Sequence, residues 1–237
     1  MNTFLYSPKY YYEKRFDRFY DLIKEKGSPV RFVKDSTIVS IDELMNHMYF
    51  VTKGIMRFYV IGEDIDGQSL EKTIWFIGPG NIFPLYSPVG HCCRFEYENQ
   101  MLTAYSDVEA ISITNETCRQ LCIENPEFAI ELLNAYADLA GILLYESLNL
   151  LRSGKRRIIN FLAMYHKNLK PAGIALTQEE IATITGVTLP TVARVLKELR
   201  EKNIIATKRK SIQILDIGSL EQMVSDAATA DGPALYP

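Results

Sequence analysis

The chain has 237 residues, 47% hydrophobic and 11% aromatic, which is enough apolar side chain to bury the cores of two compact domains and excludes disorder as its default state. The formal net charge of −3 argues against a polyanion partner for the chain as a whole, but it averages two unlike parts. Residues 152–210 carry 13 Lys and Arg against 4 Asp and Glu, whereas the rest carries 13 against 25. Only that basic stretch has the electrostatic footprint of a nucleic-acid binder.

The first residues mix aromatic and charged side chains (Tyr10, Tyr11, Tyr12, Glu13, Lys14, Arg15) without a continuous apolar run, so they do not read as a secretory signal. Phe16, Phe19, Tyr20 and Ile23 then fall at helical spacing, and the spacing predicts a short leading helix over Tyr10–Lys26 that stops at Gly27-Ser28-Pro29. From Val30 to Ile113 the pattern changes to short β-rich runs: Met48 to Val51, Ile55 to Ile61, Leu70 to Ile77 and Ala110 to Ile113. Turn signals such as Asp64-Ile65-Asp66-Gly67 and Gly78-Pro79-Gly80-Asn81 separate them, so an antiparallel barrel or sandwich is the natural expectation.

Asn125-Pro126 opens a stretch to Leu151 dense in Leu, Ile, Ala and Tyr, with Gly141 its one glycine. Its length predicts one long helix, apolar around most of its circumference, with one face for the barrel and another for a second copy. We read it as a dimerisation helix over 126–151. Asn134 and Asp138 interrupt its longest apolar run, Leu132 to Tyr145, short of the roughly 20 residues of a spanning helix, so a cytoplasmic protein with no membrane partner is expected. Arg152-Ser153-Gly154-Lys155 breaks the pattern and is the expected hinge, and Asp226–Pro237 reads as a loose tail. The expected division is therefore an extension over 1–27, an effector domain over 28–125, the helix, a DNA-binding domain over 152–217 and a tail over 218–237.

The basic region holds the most specific motif. In Leu176-Thr177-Gln178-Glu179-Glu180-Ile181, a Thr three residues before a Glu forms a capping box, which starts a helix at Thr177. Thr185-Gly186-Val187-Thr188 supplies a tight turn, with Gly186 able to take positive φ and Thr188 able to cap a second helix over Leu189–Lys202. Pro190 is tolerable there because it falls in the first turn. Val192, Val195, Leu196 and Leu199 form one apolar stripe and leave Thr191, Arg194, Lys197 and Arg200 to other faces. Ile204 to Thr207 and Ser211 to Leu215 read as a two-stranded wing whose turn, Lys208-Arg209-Lys210, suits a phosphate backbone.

The run Leu176 to Ile205, with its capped helix, Gly186 turn, Thr191-Val192-Ala193-Arg194-Val195-Leu196 and trailing Asn203-Ile204-Ile205, closely resembles the Crp/Fnr transcription regulators. The upstream order agrees, and the resemblance covers roughly 28–217. It implies an α+β chain: an antiparallel β-roll of the cyclic-nucleotide-binding kind, a long dimerisation helix, and a C-terminal winged helix-turn-helix. Such a chain would act as a homodimer on a palindromic site in double-stranded DNA, with RNA polymerase as a further partner for an activator. By position, Arg194 matches the family's base-reading arginine, suited to guanine O6 and N7. Thr188, Leu189, Pro190, Thr191, Lys197, Lys208, Arg209 and Lys210 complete the expected DNA-binding set. Pro190 stands where the family often has an acidic residue, so a cytosine contact is lost and the half-site is expected to tolerate T·A or A·T at that step.

The cyclic-nucleotide sensors of the family resemble one another in a Gly-Glu segment and a later Arg-Ser/Thr-Ala cassette, and neither is present, so cAMP is not the expected effector. The segment Gly80-Asn81 to Gly90 resembles halophenol-sensing members that control organohalide respiration, although residues 126–151 lack the Lys or Arg that meets a phenolate there. A small aromatic effector is therefore expected, with Trp75, Phe76, Phe83, Tyr86, Tyr97, Tyr136, Leu139 and Leu143 as candidate lining. Core filling is the plain alternative for these side chains. His91-Cys92-Cys93 opens a haem- or redox-sensing alternative, yet adjacent residues point apart and no ligand pair has metal spacing, so no cofactor is expected. Cys92, Cys93, Cys118 and Cys122 are expected as free thiols, with Cys118 and Cys122 on one short helix. No GxSxG, P-loop or HExxH is present and His47, His91 and His166 are scattered, so an enzyme, or a regulatory subunit with a winged domain, is the less favoured class.

Overall fold

The computed structural model describes residues 11–12, 14–38, 46–63, 67, 69–85, 100–170, 176–208 and 211–230. The chain divides into two compact units, one comprising 8–62 and 74–144 and the other 1–7, 63–73 and 145–237.

The strands β1 (Tyr11–Tyr12), β2 (Ser28–Phe32), β3 (His47–Lys53), β4 (Met56–Glu63), β5 (Ser69–Ile77), β6 (Ile82–Phe83), β7 (Gln100–Ala104) and β8 (Val108–Thr114) build a roll in the first unit, except that Glu63 of β4 and Ser69–Thr73 of β5 belong to the second. They form two four-stranded sheets, ordered β1-β5-β4-β7 and β2-β8-β3-β6. The pairing is antiparallel along β3–β8, from His47↔Thr114 onward, and along β4–β7, from Met56↔Ala104. Met48, Phe50, Met56, Trp75, Leu102 and Ile113 close the core between them.

The leading segment departs from expectation. Its first described residues are not helical: Tyr11 and Tyr12 pair in parallel with Phe76 and Ile77, and Lys14 turns at φ 62°. The amides of Lys14 and Phe16 donate to Pro79 and Gly80 carbonyls at 2.7 Å, so the roll claims backbone groups that a helix would have used internally. Helical structure starts only at Asp17, with a 3-10 turn and then α1 (Tyr20–Lys26), and the predicted apolar positions Phe16, Phe19 and Ile23 are buried.

Helix α2 (Asn115–Glu124) is capped by Thr114, whose hydroxyl accepts the Thr117 amide at 3.0 Å. The long helix α3 (Pro126–Leu150) follows, started by Asn125 Oδ1 accepting the Phe128 amide at 3.2 Å. Phe128, Leu132, Ala135 and Ile142 make its buried side, while Ile130, Leu133, Leu144 and Leu148 are exposed. By length and hydropathy alone α3 would pass for a membrane span. Its carboxylates are committed to the fold instead, Glu131 and Asp138 to Arg15 and Glu127 to Arg18.

In the second unit α4 (Gly154–Asn168) is capped by Ser153, whose hydroxyl accepts the Arg156 amide. Then come α5 (Gln178–Thr185), α6 (Leu189–Glu201), the antiparallel hairpin β9 (Ile205–Lys208) and β10 (Ser211–Ile214), and α7 (Ile217–Ala230). Helix α7 corrects the expectation of a loose tail over Asp226–Ala230, and residues 231–237 lie outside the described residues. Asp216 caps it by accepting the Ser219 amide at 3.0 Å, Leu220 anchors it in the core, and its last turn is rich in alanine.

Candidate nucleic-acid interface

Local chemistry fixes the geometry of the helix-turn-helix. Thr177 Oγ1 accepts the Glu180 amide at 3.1 Å and starts α5, as the capping motif requires. The helix ends at Gly186, in the left-handed region at φ 60°, where a side chain would be strained. Thr188 occupies the N-cap of α6 but makes no side-chain cap bond; its hydroxyl meets that of Thr191 at 3.0 Å instead.

Within α6 the stripe Val192, Val195, Leu196 and Leu199 is buried to the last residue, which presses one face onto the unit's core. Thr188, Leu189, Pro190, Arg194 and Lys197 lie exposed, and Thr191 is half-buried. Arg194 has no hydrogen bond or ion pair among the described residues, so its guanidinium is available to a partner. Lys197 only approaches Glu201, at 3.9 Å in solvent, a contact too weak to hold it. Lys208 ends β9, while Arg209 and Lys210 fall outside the described residues.

Three cations, Lys155, Arg157 and Lys72, hold the turn and the α6 helix. Lys155 of α4 reaches Glu198 of α6 at 2.7 Å, and the hydrogen bonds from Lys155 and Lys202 hold the Glu198 carboxyl below its usual range. At the turn, Arg157 Nη1 donates to the carbonyls of Thr185 and Gly186, each at 2.9 Å. Lys72, in the first half of β5, donates to the Ile184 carbonyl and pairs with Glu146 of α3 at 2.6 Å. Two cations thus cap the carbonyls at the C-terminal end of α5, where the helix dipole favours positive charge. None of Lys72, Glu146 and Arg157 was legible as a functional residue, because they are brought together across long stretches of chain.

The expected effector lining is only partly brought together. Trp75 stacks edge-on against Phe83 (5.6 Å) and Tyr12 (5.4 Å), and Phe83 meets Phe58 at 4.9 Å. Tyr136 and Leu139 of α3 pack on the same core. Phe76 does not join them: alternation along β5 turns it to the opposite face, against Tyr105. Leu143 is exposed on α3, and Tyr86 and Tyr97 lie outside the described residues. The expectation missed Tyr12 and Phe58.

His91, Cys92 and Cys93 also fall outside the described residues. Among those described, no group of three or more His, Cys, Asp or Glu is placed to hold a metal. Cys118 and Cys122 are free thiols, and burial pushes the Cys118 thiol up to about 12.

Comparison with known proteins agrees with this architecture. Residues 29–125 match the family model described as cyclic nucleotide-binding domain, and residues 156–223 match the Crp-like helix-turn-helix domain. The cAMP-activated global transcriptional regulator CRP of Pasteurella multocida is 26% identical, over 78% of this chain and 88% of that one. The global nitrogen regulator of Synechococcus elongatus is also 26% identical, over 82% and 89%. Among solved structures, a CooA variant from Carboxydothermus hydrogenoformans (18% identity, TM-score 0.69, 90% of this chain and 100% of that one) and CprK complexed with OCPA (18%, 0.67, 92% and 99%) share the fold. With both domains matched in this order over most of its length, and an exposed recognition helix on a winged unit, the chain belongs to the Crp/Fnr family of ligand-responsive, DNA-binding transcription regulators.

Proposed function

We propose that two copies of this chain pair along α3, place their α6 helices in successive major grooves of a palindrome, and are switched by a small aromatic effector in the roll. The observation that carries the DNA half is α6 itself. Its apolar stripe is fully buried, while Arg194, with no partner among the described residues, stands on the exposed face beside Thr188, Pro190 and Lys197. A guanidinium held this way suits a bidentate bond to guanine O6 and N7, and Lys197 and the wing lysines Lys208 and Lys210 suit phosphates. The set works in the cytoplasm, on chromosomal DNA, and an activator would meet RNA polymerase beside the site.

The effector half rests on chemistry. The chain lacks the Gly-Glu segment and Arg-Ser/Thr-Ala cassette of cyclic-nucleotide sensors, which speaks against cAMP, while Trp75, Phe83, Tyr12 and Phe58 form an aromatic set with Tyr136 and Leu139 close by. Differential affinity for two arrangements of the dimer is what lets such a ligand act.

Binding-site selection with the purified protein tests this reading. It should return a palindrome whose half-sites lie one helical turn apart, with a guanine read by Arg194 and T·A or A·T tolerated opposite Pro190. Arg194→Ala should relax preference at that guanine, costing about 1–3 kcal/mol, and Lys208→Ala should weaken all sequences alike and lower the salt slope. An obligate G·C at the Pro190 step, or no selection at all, would overturn it.

A further inference from the structure

Two buried donors in the roll have no acceptor among the described residues. Trp75 is 3% exposed and its indole Nε1 has no acceptor among the described residues. An indole nitrogen can only donate, and native interiors rarely leave such a group unmade. Arg15 is the second case: its Nε faces Glu131 at 3.7 Å and its Nη2 is hydrogen-bonded to Asp138, but its buried Nη1 has no acceptor among the described residues. Both groups lie against one ring, that of Tyr12, with the Arg15 guanidinium 4.7 Å over its face and Trp75 5.4 Å from its centre.

The charge around Arg15 narrows what could satisfy both donors. Arg15 and Arg18 face three carboxylates, Glu127, Glu131 and Asp138, in one network, so the local balance is already negative. A further anion would gain little from Arg15 and be repelled by its partners. A neutral acceptor takes the free N–H without that cost, and a flat apolar body suits the Trp75, Phe83 and Phe58 rings.

We propose that the effector is an uncharged aromatic carbonyl compound whose oxygen accepts from Trp75 Nε1 and Arg15 Nη1; this rests on reading the roll as the seat of a small aromatic effector. Arg15 then links ligand to long helix, because the guanidinium that meets the carbonyl also holds Asp138 of α3. Trp75 and Arg15 would be binding residues, and the basic group that α3 itself lacks comes from the segment before α1.

Trp75 is the chain's only tryptophan, so the full-length protein labelled with nitrogen-15 gives one indole N–H resonance that reports on the site. It is titrated with three probes of one shape: acetophenone, ethylbenzene and benzoate. Acetophenone should move the resonance downfield and saturate, with ethylbenzene and benzoate each at least about tenfold weaker, the scale of one good hydrogen bond. Calorimetry on Trp75→Phe and on Arg15→Lys should show the preference for acetophenone over ethylbenzene lost in the first and kept in part in the second. Benzoate equal to or tighter than acetophenone, or ethylbenzene equal to it, overturns the neutral-acceptor assignment and leaves an aromatic effector standing. No saturable response to any probe overturns both, with DNA binding judged separately by site selection.

Discussion

Lys72 Nζ stands 2.6 Å from Glu146 Oε2, with 14% and 7% of the two side chains exposed, and the same ammonium donates to the Ile184 carbonyl near the end of α5. Burial works against both charges: with the Arg157 charge adding to it, Lys72 is pulled down to about 7, and Glu146 is pushed up to about 8 although Arg157 draws it the other way. Their contact offsets this by giving each charged form its counterion, and Arg157 adds a second cation at the same turn. Removing one partner therefore strands the other. Lys72→Met should cost about 3 kcal/mol in denaturant unfolding, whereas Lys72→Met with Glu146→Leu should lose less than the single change, because a matched apolar pair carries no buried charge. Additive losses in the double-mutant cycle would show that the pair contributes nothing as a pair.

The turn beneath that pair gives a second expectation. A Cβ on Gly186 would stand 3.2 Å from the Lys72 Cδ and 3.5 Å from the Arg157 Nη1, both ends of flexible side chains, so space is tight but can yield. The backbone cannot: φ is 60°, a region that costs a side-chain-bearing residue about 1–2 kcal/mol. Gly186→Ala should lose about that much in thermal or denaturant unfolding, and Gly186→Val more, since β-branching adds to the strain. An alanine variant as stable as the parent would mean that the turn has relaxed to another conformation.

These two sites differ in how far the sequence announces them. Gly186 was legible because a helix-turn-helix is written locally: Thr177 caps, Gly186 turns, and the Val192-Val195-Leu196-Leu199 spacing marks the buried face within a dozen residues. The long helix was legible for the same reason. Lys72 was not, because its partner carbonyl lies 112 residues away and no local pattern marks an ammonium for burial. Phe76 shows a further limit: both faces of β5 are buried, so composition marks every residue from Ile74 to Ile77 as core and cannot say which side Trp75 takes. Arg15 was equally silent, a cation in a polar-looking segment whose value comes from Tyr12, Glu131 and Asp138.

Cys118 bears on redox chemistry. Its thiol is buried and its pKa is raised from 9.0 to about 12, first by desolvation and then by Cys122 beside it. The thiolate is the nucleophile, so at pH 8 the folded protein should resist iodoacetamide at Cys118, with peptide mapping by mass spectrometry showing modification only on unfolding. The sign for stability follows. Folding favours the protonated thiol, so this contribution is complete below pH 9 and is lost as pH rises from 9 toward 12. Cys118→Ala should therefore flatten the fall in unfolding temperature over that window. Rapid labelling of Cys118 in the native protein at pH 8 would contradict the burial seen here.

The exposed side of α3 makes the last prediction. Ile130, Leu133, Ala137, Ala140, Leu144 and Leu148 recur at steps of three and four, and all six are exposed within the chain, Leu133 by 66% and Leu144 by 64%. That period is the seam of two helices packed side by side, and water is a poor partner for it. A charge introduced on the seam should separate the copies. Leu133→Asp with Leu144→Asp should sediment as a monomer at concentrations where the parent is a dimer, and its affinity for a full palindrome should fall at least about tenfold while that for a single half-site barely changes, because only the linkage between two recognition helices is lost. Ile123→Asp, an equally exposed apolar position on α2, should alter neither. If the double variant stays dimeric, the copies pair elsewhere, and the exposed leucines of α3 need another explanation.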